Sequence, residues 1–422
     1  MNIIIKPRTF RDVTGKNNDP AATMDNAVTA LGLLGVECRY DVFHDKKLIG
    51  GQVLGSEIGQ LSDDVCLLVR KLCRENLKFD PGKEHTWDAI NLVCRLNSFN
   101  PILDYLDGLK WDGVERIGTW MRDYMLAPDT DFVRAVSEMM LIASVRRVRQ
   151  PGCKFDYMCV LESPEGKNKS RGLALLYGDE NFSDQSILNL TDKEMQEAFR
   201  GRWCIEAADL SGMRKADVEK LKAQLSRRSD RARPAYGRAV IDIPRTAIPW
   251  GTTNDEDYLR SQTGNRRILP VPVGRIDIAR LATDRDQLWA EASIAEALDM
   301  EIMLPENLWG SAKIEQDART QREPWIDILH NAAGLAQSYE QDKALDDDAR
   351  KLGVVYQNKD NEERITSQFC LAKILKIADG QQTPEHSKRL GNAMRKLGWI
   401  GPVTMRIGGR AVKGYWRGDP AA

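Results

Sequence analysis

Short apolar runs of β type alternate with helical stretches between residues 131 and 291. Apolar side chains recur at helical spacing in the stretches before and between these runs. Strands that alternate with helices are typical of a three-layer α/β domain with a largely parallel sheet. We therefore predict such a domain over residues 131–300. The four apolar runs are residues 157–161, 203–207, 247–251 and 268–273.

The segments on either side of this core differ from it in composition. Residues 1–26 are polar and predict a flexible arm, and residues 27–130 are mainly helical in their apolar spacing. Residues 301–363 are rich in charge and predict a helical linker, and residues 364–418 form a compact C-terminal unit. A chain of 422 residues has room for two or three domains, at ~150 residues per domain.

The composition excludes several classes of protein. Apolar residues make up 42% of the chain and charged residues 29%, and no apolar run reaches the ~18 residues that a membrane helix needs. The N-terminus lacks the charged-then-apolar pattern of a signal peptide, so we expect a cytoplasmic protein with no membrane partner. The eight cysteines are scattered and only four histidines accompany them, which argues against a zinc site or a disulfide framework.

A segment with the sequence SPEGKNKS lies between a predicted strand and a predicted helix. This is the setting of a phosphate-binding loop of pattern G-x-x-x-x-G-K-[ST], in which backbone N–H groups surround the phosphates, a lysine contacts them and a hydroxyl binds Mg²⁺. The chain keeps Lys169 and Ser170 but has Ser163 and Asn168 in place of the two glycines. Asn is among the non-glycine residues that most readily adopt positive φ. Together with Gly166 these residues are the predicted ATP contacts; a solvated lysine-rich turn is the alternative.

Three further polar features follow in the order in which AAA+ ATPases use them. Glu206 and Asp209 lie at or just past the end of the second apolar run, where acids hold Mg²⁺ and orient the attacking water. Asn254 follows the third run and is suited to position that water, although it could equally be a turn residue. Arg266 and Arg267 precede the fourth run and offer a guanidinium for the charge of a transferring phosphoryl group. Paired arginines are also common on a solvated face.

An arginine-rich segment lies between the acids and the predicted sensor strand. We predict that five arginines and one tyrosine contact single-stranded DNA in a central channel, by tracking phosphates and stacking on bases. These residues are Arg227, Arg228, Arg231, Arg233, Tyr236 and Arg238. The alternative is that some of the arginines pair with acids on a neighbouring subunit.

The C-terminal unit has the order of a winged helix. One predicted helix is followed by a second, which begins at Thr383, and then by two short strands about Gly408 and Gly409. From residue 383 to residue 417 there are eight basic residues and one acid, a segregation that favours contact with duplex DNA. The predicted DNA contacts are Lys388, Arg389, Arg395, Lys396, Arg406, Arg410 and Lys413.

With these residues in view, the chain resembles the virulence-associated protein E (VapE-like) family over about residues 26–418. The family is related to the superfamily 3 helicases of phages and plasmids, so the resemblance implies an AAA+ P-loop ATPase core. It is carried by the strings DYLDGLKWDG (104–113), PGCKFD (151–156), NFSD (181–184), LSRRSDRARPAYG (225–237), GTTN (251–254) and GNRR (264–267), together with the two acids.

The resemblance also implies a role for each candidate residue of the core. Lys169 and Ser170 would be the Walker A pair, and Glu206 and Asp209 the Walker B acids. Asn254 would be the sensor, and Arg266 or Arg267 the arginine finger. Ser170, Glu206 and Asp209 are then the expected Mg²⁺ ligands. The family commonly has glutamate where Asp209 stands, and glycines where Ser163 and Asn168 stand.

The expected function is an ATP-dependent DNA helicase or translocase of a phage or mobile element, with ATP and Mg²⁺ bound between subunits. An arginine that acts on a neighbour implies a cyclic homo-oligomer, and the resemblance implies a hexameric ring. The chain begins too late to carry a primase domain ahead of the helicase part, so priming is expected from a separate protein. The rival is a DNA-binding initiator or assembly protein whose altered P-loop binds nucleotide weakly or not at all. A small-molecule kinase explains neither the arginine-rich segment nor the C-terminal unit.

Overall fold

The computed structural model of the chain divides into two compact units, Met1–Thr320 and Gln321–Ala422. Within the described residues we find no helix with the length and apolar character needed to cross a bilayer. The described residues are 10–55, 59–185, 190–208, 210, 215–232, 240–255, 257–259, 265–320, 324–339, 363–407 and 410–418.

The N-terminal part of the first unit combines helices with a four-stranded sheet. Its helices are α1 (Met24–Leu34), α2 (Asp63–Leu77), α3 (Lys83–Leu96) and α4 (Pro101–Gly108). Its strands are β1 (Val13–Thr14), β2 (Asp19–Pro20), β3 (Glu37–Asp41), β4 (Lys46–Gly50), β5 (Gly59–Gln60) and β6 (Ser98–Phe99). The order of the four-stranded sheet is β5-β4-β3-β6.

This sheet adds short strands to the mainly helical domain predicted over residues 27–130. The sequence did not predict strands β3 and β4, because they are short and carry many charged and polar residues and so show no apolar run. The described part of the predicted arm, from residue 10 onward, is held by hydrogen bonds. The side chain of Asn26 accepts the N–H of Arg11 and donates to the carbonyls of Asp12 and Ala21, which ties this segment to the start of α1.

The remainder of the first unit is an α/β core, as predicted. Its helices are α5 (Trp120–Met125), α6 (Asp131–Arg149), α7 (Lys169–Tyr177), α8 (Asp192–Phe199), α9 (Lys215–Leu225), α10 (Ile278–Ala297) and α11 (Trp309–Ala318). Its strands are β7 (Met158–Glu162), β8 (Phe182–Ser183), β9 (Cys204–Ala207), β10 (Ser229–Ala232), β11 (Ile241–Pro244), β12 (Ile248–Thr253) and β13 (Ile268–Pro272). Five of these strands form a sheet of order β13-β7-β12-β9-β8 in which every neighbouring pair is parallel.

Both faces of the parallel sheet are covered, which gives three layers. Along β7, Cys159 and Leu161 belong to the core on one face, and Met158 and Val160 belong to the core on the other. The first face packs against α6, α7 and α10 and contains a stacked tryptophan pair with ring centroids 4.3 Å apart. Near-continuous apolar strands are the pattern expected when a parallel sheet is buried on both sides.

The DYLDGLKWDG string and the residues just after it attach to helix α10. Gln287 accepts the N–H of Asp112 at 2.8 Å, and Glu291, one turn further along, accepts the N–H of Arg116 at 2.6 Å. These contacts, and the shared apolar core, continue across the boundary that the sequence places at residue 130. The string therefore holds the N-terminal part of the unit against the core.

His44 makes a second connection between the N-terminal sheet and the core. Its Nδ1 lies 2.6 Å from Asp41 Oδ2, and its Nε2 lies 2.8 Å from Asn181 Oδ1. Asn181 opens the NFSD string and also donates to the carbonyl of Tyr177 at the end of α7. Two of the strings that carry the family resemblance thus have structural roles.

The second unit contains a three-stranded antiparallel sheet packed with helices. The elements in chain order are α12 (Pro324–Tyr339), β14 (Glu363–Thr366), α13 (Ser367–Phe369) with a π-helical continuation (Cys370–Ile374), α14 (Pro384–Lys396), β15 (Ile400–Ile407) and β16 (Arg410–Arg417). The strand order in the sheet is β14-β16-β15. Trp325 and Leu329 of α12 share a core with Leu390, Met394 and Tyr415. The predicted linker over residues 301–363 is therefore divided, because α11 packs in the first unit and α12 in the second.

We predict that residues 321–422 expressed alone fold cooperatively, whereas residues 360–422 do not. The shorter fragment lacks Trp325 and Leu329, which are 9% and 1% exposed, and truncating a buried leucine alone costs about 2 to 5 kcal/mol. Thermal unfolding followed by circular dichroism tests this. In the longer fragment Leu329→Ala should lower stability by that amount, and Ile328→Ala, at a residue 45% exposed, should change it little. Equal melting of the two fragments would show that α12 is dispensable.

Candidate functional site

The loop that follows β7 leads directly into helix α7 at the carboxyl edge of the parallel sheet. The backbone is left-handed at Gly166, with φ 76°, and at Asn168, with φ 66°. Asn168 occupies the position of the second glycine in the P-loop pattern. Asn168 is the N-cap of α7 and makes no side-chain capping bond. The N-terminal N–H groups of a helix lack intrahelical acceptors, so this end of α7 suits an anion.

The ammonium group of Lys169 is held inside the loop rather than in solvent. It donates to the carbonyl oxygen of Ser163 at 2.6 Å, to Ser163 Oγ at 3.0 Å and to Asn254 Oδ1 at 2.8 Å. Burial lowers the pKa of Lys169, and the charge of Glu206 opposes this shift. A solvated lysine-rich turn is therefore excluded for Lys169, which is 8% exposed.

Glu206 is fully buried in β9 beside this loop. Its Oε1 accepts hydrogen bonds from Ser170 Oγ at 2.8 Å and from Thr252 Oγ1 at 2.5 Å. Its Oε2 has no hydrogen-bond partner within the described part of the chain. Asp209, the second predicted acid, lies outside the described residues. A buried carboxylate with one open oxygen is costly without a partner, so it suggests a site for a cation.

A cavity of about 410 Å³ lies between the loop and the end of β12. Gly166, Asn168, Lys169, Ser170 and Asn254 line it, so these predicted site residues come together in the structure. The volume is within the usual range for small-molecule sites. The cavity presents an ammonium group, an amide and a hydroxyl beside a buried carboxylate.

A partly buried ion pair, which the sequence did not predict, fixes the end of β7. Arg319 Nη2 donates to Glu162 Oε2 at 2.8 Å, and Tyr258 Oη donates to Glu162 Oε1 at 2.8 Å. Burial raises the pKa of Glu162, and the guanidinium of Arg319 opposes the shift. Glu162 immediately precedes Ser163, so this pair anchors the strand from which the loop departs. The partners are 157 residues apart, and no local pattern in the sequence connects them.

The region that contains the loop and the sheet matches a known protein family. Residues 106–321, about half of the chain, match the virulence-associated protein E-like domain. The chain belongs to this family. The sequence prediction of VapE-like membership is thereby confirmed, and the match includes the five-stranded sheet and the loop.

The solved structures that this chain resembles are only distantly similar to it. The apo structure of the NrS-1 C-terminal region (305–718) is 11% identical, covers 92% of this chain and 98% of that chain, and has a TM-score of 0.48. A structure described as "SCCmec type IV Cch - active helicase" is 10% identical, covers 91% of this chain and 93% of that chain, and has a TM-score of 0.35. These likenesses are too distant to assign a function. No curated protein matches the chain.

Arg266 and Arg267 lie at the amino ends of the strands in the sheet of the VapE-like domain, whereas the loop lies at the carboxyl ends. They form a 3₁₀ turn before β13, whose first residue pairs with Met158, the first residue of β7. The five residues of β7 place them about 15 Å from the loop. Arg267 Nε is 3.8 Å from Asp156 Oδ2, Arg266 is exposed, and both line a separate cavity of about 780 Å³. Within one chain they are not part of the site.

The described arginines of the arginine-rich segment contact their own chain. Arg227 pairs with Asp192 at 2.7 Å, and Arg228 Nε donates to the carbonyl of Gly152. Arg231 is exposed and lies 3.9 Å from an acid on the paired strand β11. Arg233, Tyr236 and Arg238 lie outside the described residues. The expectation that these arginines bind DNA stays a prediction.

Helix α14 of the second unit has an apolar face and a basic face. Leu390 and Met394 are buried, and the four predicted basic contacts of this helix, Lys388, Arg389, Arg395 and Lys396, are exposed. Two of them also have contacts within the unit. Arg389 lies over the ring of Trp325, and Arg395 donates to Asn392 Oδ1. Lys413 is exposed on β16, and Arg406 and Arg410 lie near the ends of β15 and β16 that face each other across the hairpin.

We predict that Asn168→Gly leaves the stability of the first unit nearly unchanged, whereas Asn168→Val destabilises it. Left-handed backbone costs a β-branched residue roughly 1 to 2 kcal/mol, and glycine adopts it without strain. Chemical denaturation followed by tryptophan fluorescence measures the difference. Lys167→Val is the matched control, because φ is not positive at that residue. Equal unfolding free energies for the two valine variants would contradict the left-handed backbone at Asn168.

Proposed function

We propose that this VapE-like protein is an ATP-dependent DNA helicase or translocase that acts in the replication of a phage or mobile element. The observation that carries the proposal is the convergence of Lys169, Ser170, Glu206 and Asn254 at one edge of the parallel sheet. A loop-capped helix, a buried lysine, a hydroxyl beside an acid and a strand-end amide are the parts that a P-loop ATPase uses.

The residues of the site are chemically suited to ATP and Mg²⁺. Mg²⁺ usually keeps several waters and takes one or two carboxylates in addition to phosphate oxygens. Within the described residues no group of three or more acids, cysteines and histidines could hold a metal ion by itself, but Glu206 offers one oxygen free of hydrogen bonds. Ser170, Glu206 and, by family resemblance, Asp209 would hold the ion, which supplies charge neutralisation for the phosphates when bound.

The protein side of the reaction follows from the contacts. Lys169 would exchange its bonds with Ser163 and Asn254 for phosphate oxygens, since an ionised acceptor makes the stronger hydrogen bond. That exchange would release the amide of Asn254 to orient the attacking water. Glu206, with Asp209 by resemblance, would accept a hydrogen bond from that water.

Arg266 and Arg267 support a ring in which each site is completed by a neighbour. The arginines are at the opposite edge of the sheet from their own loop, so a role in hydrolysis requires the loop of another subunit. A head-to-tail contact of this kind generates a closed ring when the rotation between subunits closes. The expected ring is a hexamer.

The second unit supports DNA binding. Its order of helix, strand, helix, helix and hairpin supports the proposal of a winged helix, with α12 as the first helix and α14 as the recognition helix. Lys388, Lys396 and Lys413 are exposed for contact with phosphates. We propose that this unit binds duplex DNA while the arginine-rich segment contacts a single strand.

One observation favours a second candidate function. Lys169 already has oxygen acceptors in Ser163 and Asn254, and Ser163 stands where the family commonly has glycine. A lysine satisfied within its own chain has less to gain from a nucleotide. The second candidate is therefore a DNA-binding initiator or assembly protein that binds nucleotide weakly.

We predict that Lys169→Ala reduces DNA-stimulated ATP hydrolysis by at least 100-fold, because it removes the cation that contacts the transferred phosphoryl group. Lys167→Ala is the matched control, since it removes a lysine of the same loop and should retain most of the activity. A phosphate-release assay on the full chain, with and without DNA, makes the measurement. Equal rates for wild-type protein and Lys169→Ala, together with intact DNA binding, would favour the second candidate.

We also predict that the double variant Arg266→Ala, Arg267→Ala binds ATP normally but hydrolyses it on the order of 10³-fold more slowly. Mixing this variant with Lys169→Ala protein should restore part of the activity, because some interfaces then combine an intact loop with intact arginines. The measurement is the hydrolysis rate of the mixture against the rates of the separate proteins. A mixture with only the summed activity of its components would show that sites are not shared between subunits.

A further inference from the structure

The hydroxyl of Thr252 contacts the buried acid Glu206 directly, although Thr252 is not among the residues proposed to bind ATP or Mg²⁺. The side chain is on β12 and 5% exposed, and Oγ1 donates to Glu206 Oε1 at 2.5 Å. Ser170 Oγ donates to the same oxygen at 2.8 Å. Two donors on one oxygen fix the rotation of the carboxylate group, which is otherwise a soft torsion. The other oxygen, Oε2, is free of hydrogen bonds within the described residues.

We propose that Thr252 is a positioning residue that orients the Glu206 carboxylate so that Oε2 is presented to a divalent cation. The inference rests on the proposed nucleotide site and extends it by a residue that would act on the metal through Glu206. Hydrogen bonds to ionised carboxylates are short and strong, which suits this contact. Partners that orient a metal-binding carboxylate typically change metal affinity by 10- to 100-fold when they are removed.

Ser170 and Thr252, the two residues whose hydroxyls donate to Glu206, lie in different structural elements. Ser170 is in the first turn of α7, directly after the loop that would close on a nucleotide. Thr252 is on β12, which is hydrogen-bonded to β7 on one side and to β9, the strand of Glu206, on the other. A side chain on a strand paired on both sides keeps its position more precisely than one next to a loop. Thr252 therefore holds Glu206 in place while the loop rearranges.

The test is the Mg²⁺ dependence of nucleotide binding by the full chain, with the fluorescent analogue mant-AMP-PNP as the probe. Thr252→Val removes the hydroxyl and keeps the shape of the side chain. We expect the Mg²⁺ concentration for half-maximal binding to rise by about 10-fold or more, while affinity in EDTA stays within about twofold of wild type. Thr252→Ser restores a hydroxyl and should restore the Mg²⁺ midpoint.

Thr253→Val is the matched control, because the Thr253 hydroxyl accepts the N–H of Asp255 instead. An unchanged Mg²⁺ midpoint for Thr252→Val, beside clear Mg²⁺ dependence in wild type, overturns the role of Thr252 and leaves the nucleotide site standing. A parallel loss of affinity in EDTA and in Mg²⁺ also overturns it, since that is the result of a merely structural role. Absence of mant-AMP-PNP binding by wild-type protein overturns the nucleotide site itself. If Thr252→Val does not fold, Thr252→Ala compared with Thr252→Ser gives the same comparison.

Discussion

The parallel direction of all neighbouring strands in the central sheet is the constraint on which the site depends. Parallel strands end at one edge, so the loop after β7, the acid of β9 and the amide after β12 meet there. Lys169 and Asn254 are 85 residues apart in sequence and in contact in the structure. The burial of Glu206 follows from the same geometry, since its strand lies between β12 and β8 with helices on both faces.

The same constraint separates the site from the paired arginines. The start of β13 and the start of β7 coincide, so Arg266 and Arg267 are at the amino edge of the sheet while Lys169 is at the carboxyl edge. One copy of the chain cannot bring these charges to a single phosphate. In the proposed ring this separation is useful, because the two edges of the sheet provide complementary halves of a shared site. Arg267 meanwhile has Asp156 as its neighbour in its own chain.

The sequence predicted the parts of the site that depend on local pattern. The strand, loop and helix around Lys169 follow from periodicity, and the left-handed Asn168 follows from the backbone preferences of asparagine. Contacts that depend on tertiary packing were not predictable in this way. The register of β12 against β9 places Thr252 beside Glu206. Arg319, the C-cap of helix α11, contacts Glu162. The short strands of the N-terminal sheet were missed because charged residues interrupt their apolar pattern.

A structure of the protein with Mg²⁺ and a non-hydrolysable ATP analogue would test the proposed nucleotide site. We expect the phosphates to lie on the loop at the start of α7, with Lys169 turned from Asn254 to a phosphate oxygen. We also expect Mg²⁺ beside Ser170 and the open oxygen of Glu206. Phosphates bound elsewhere, or Lys169 still bonded to Ser163 and Asn254 at saturating analogue, would contradict the proposed site.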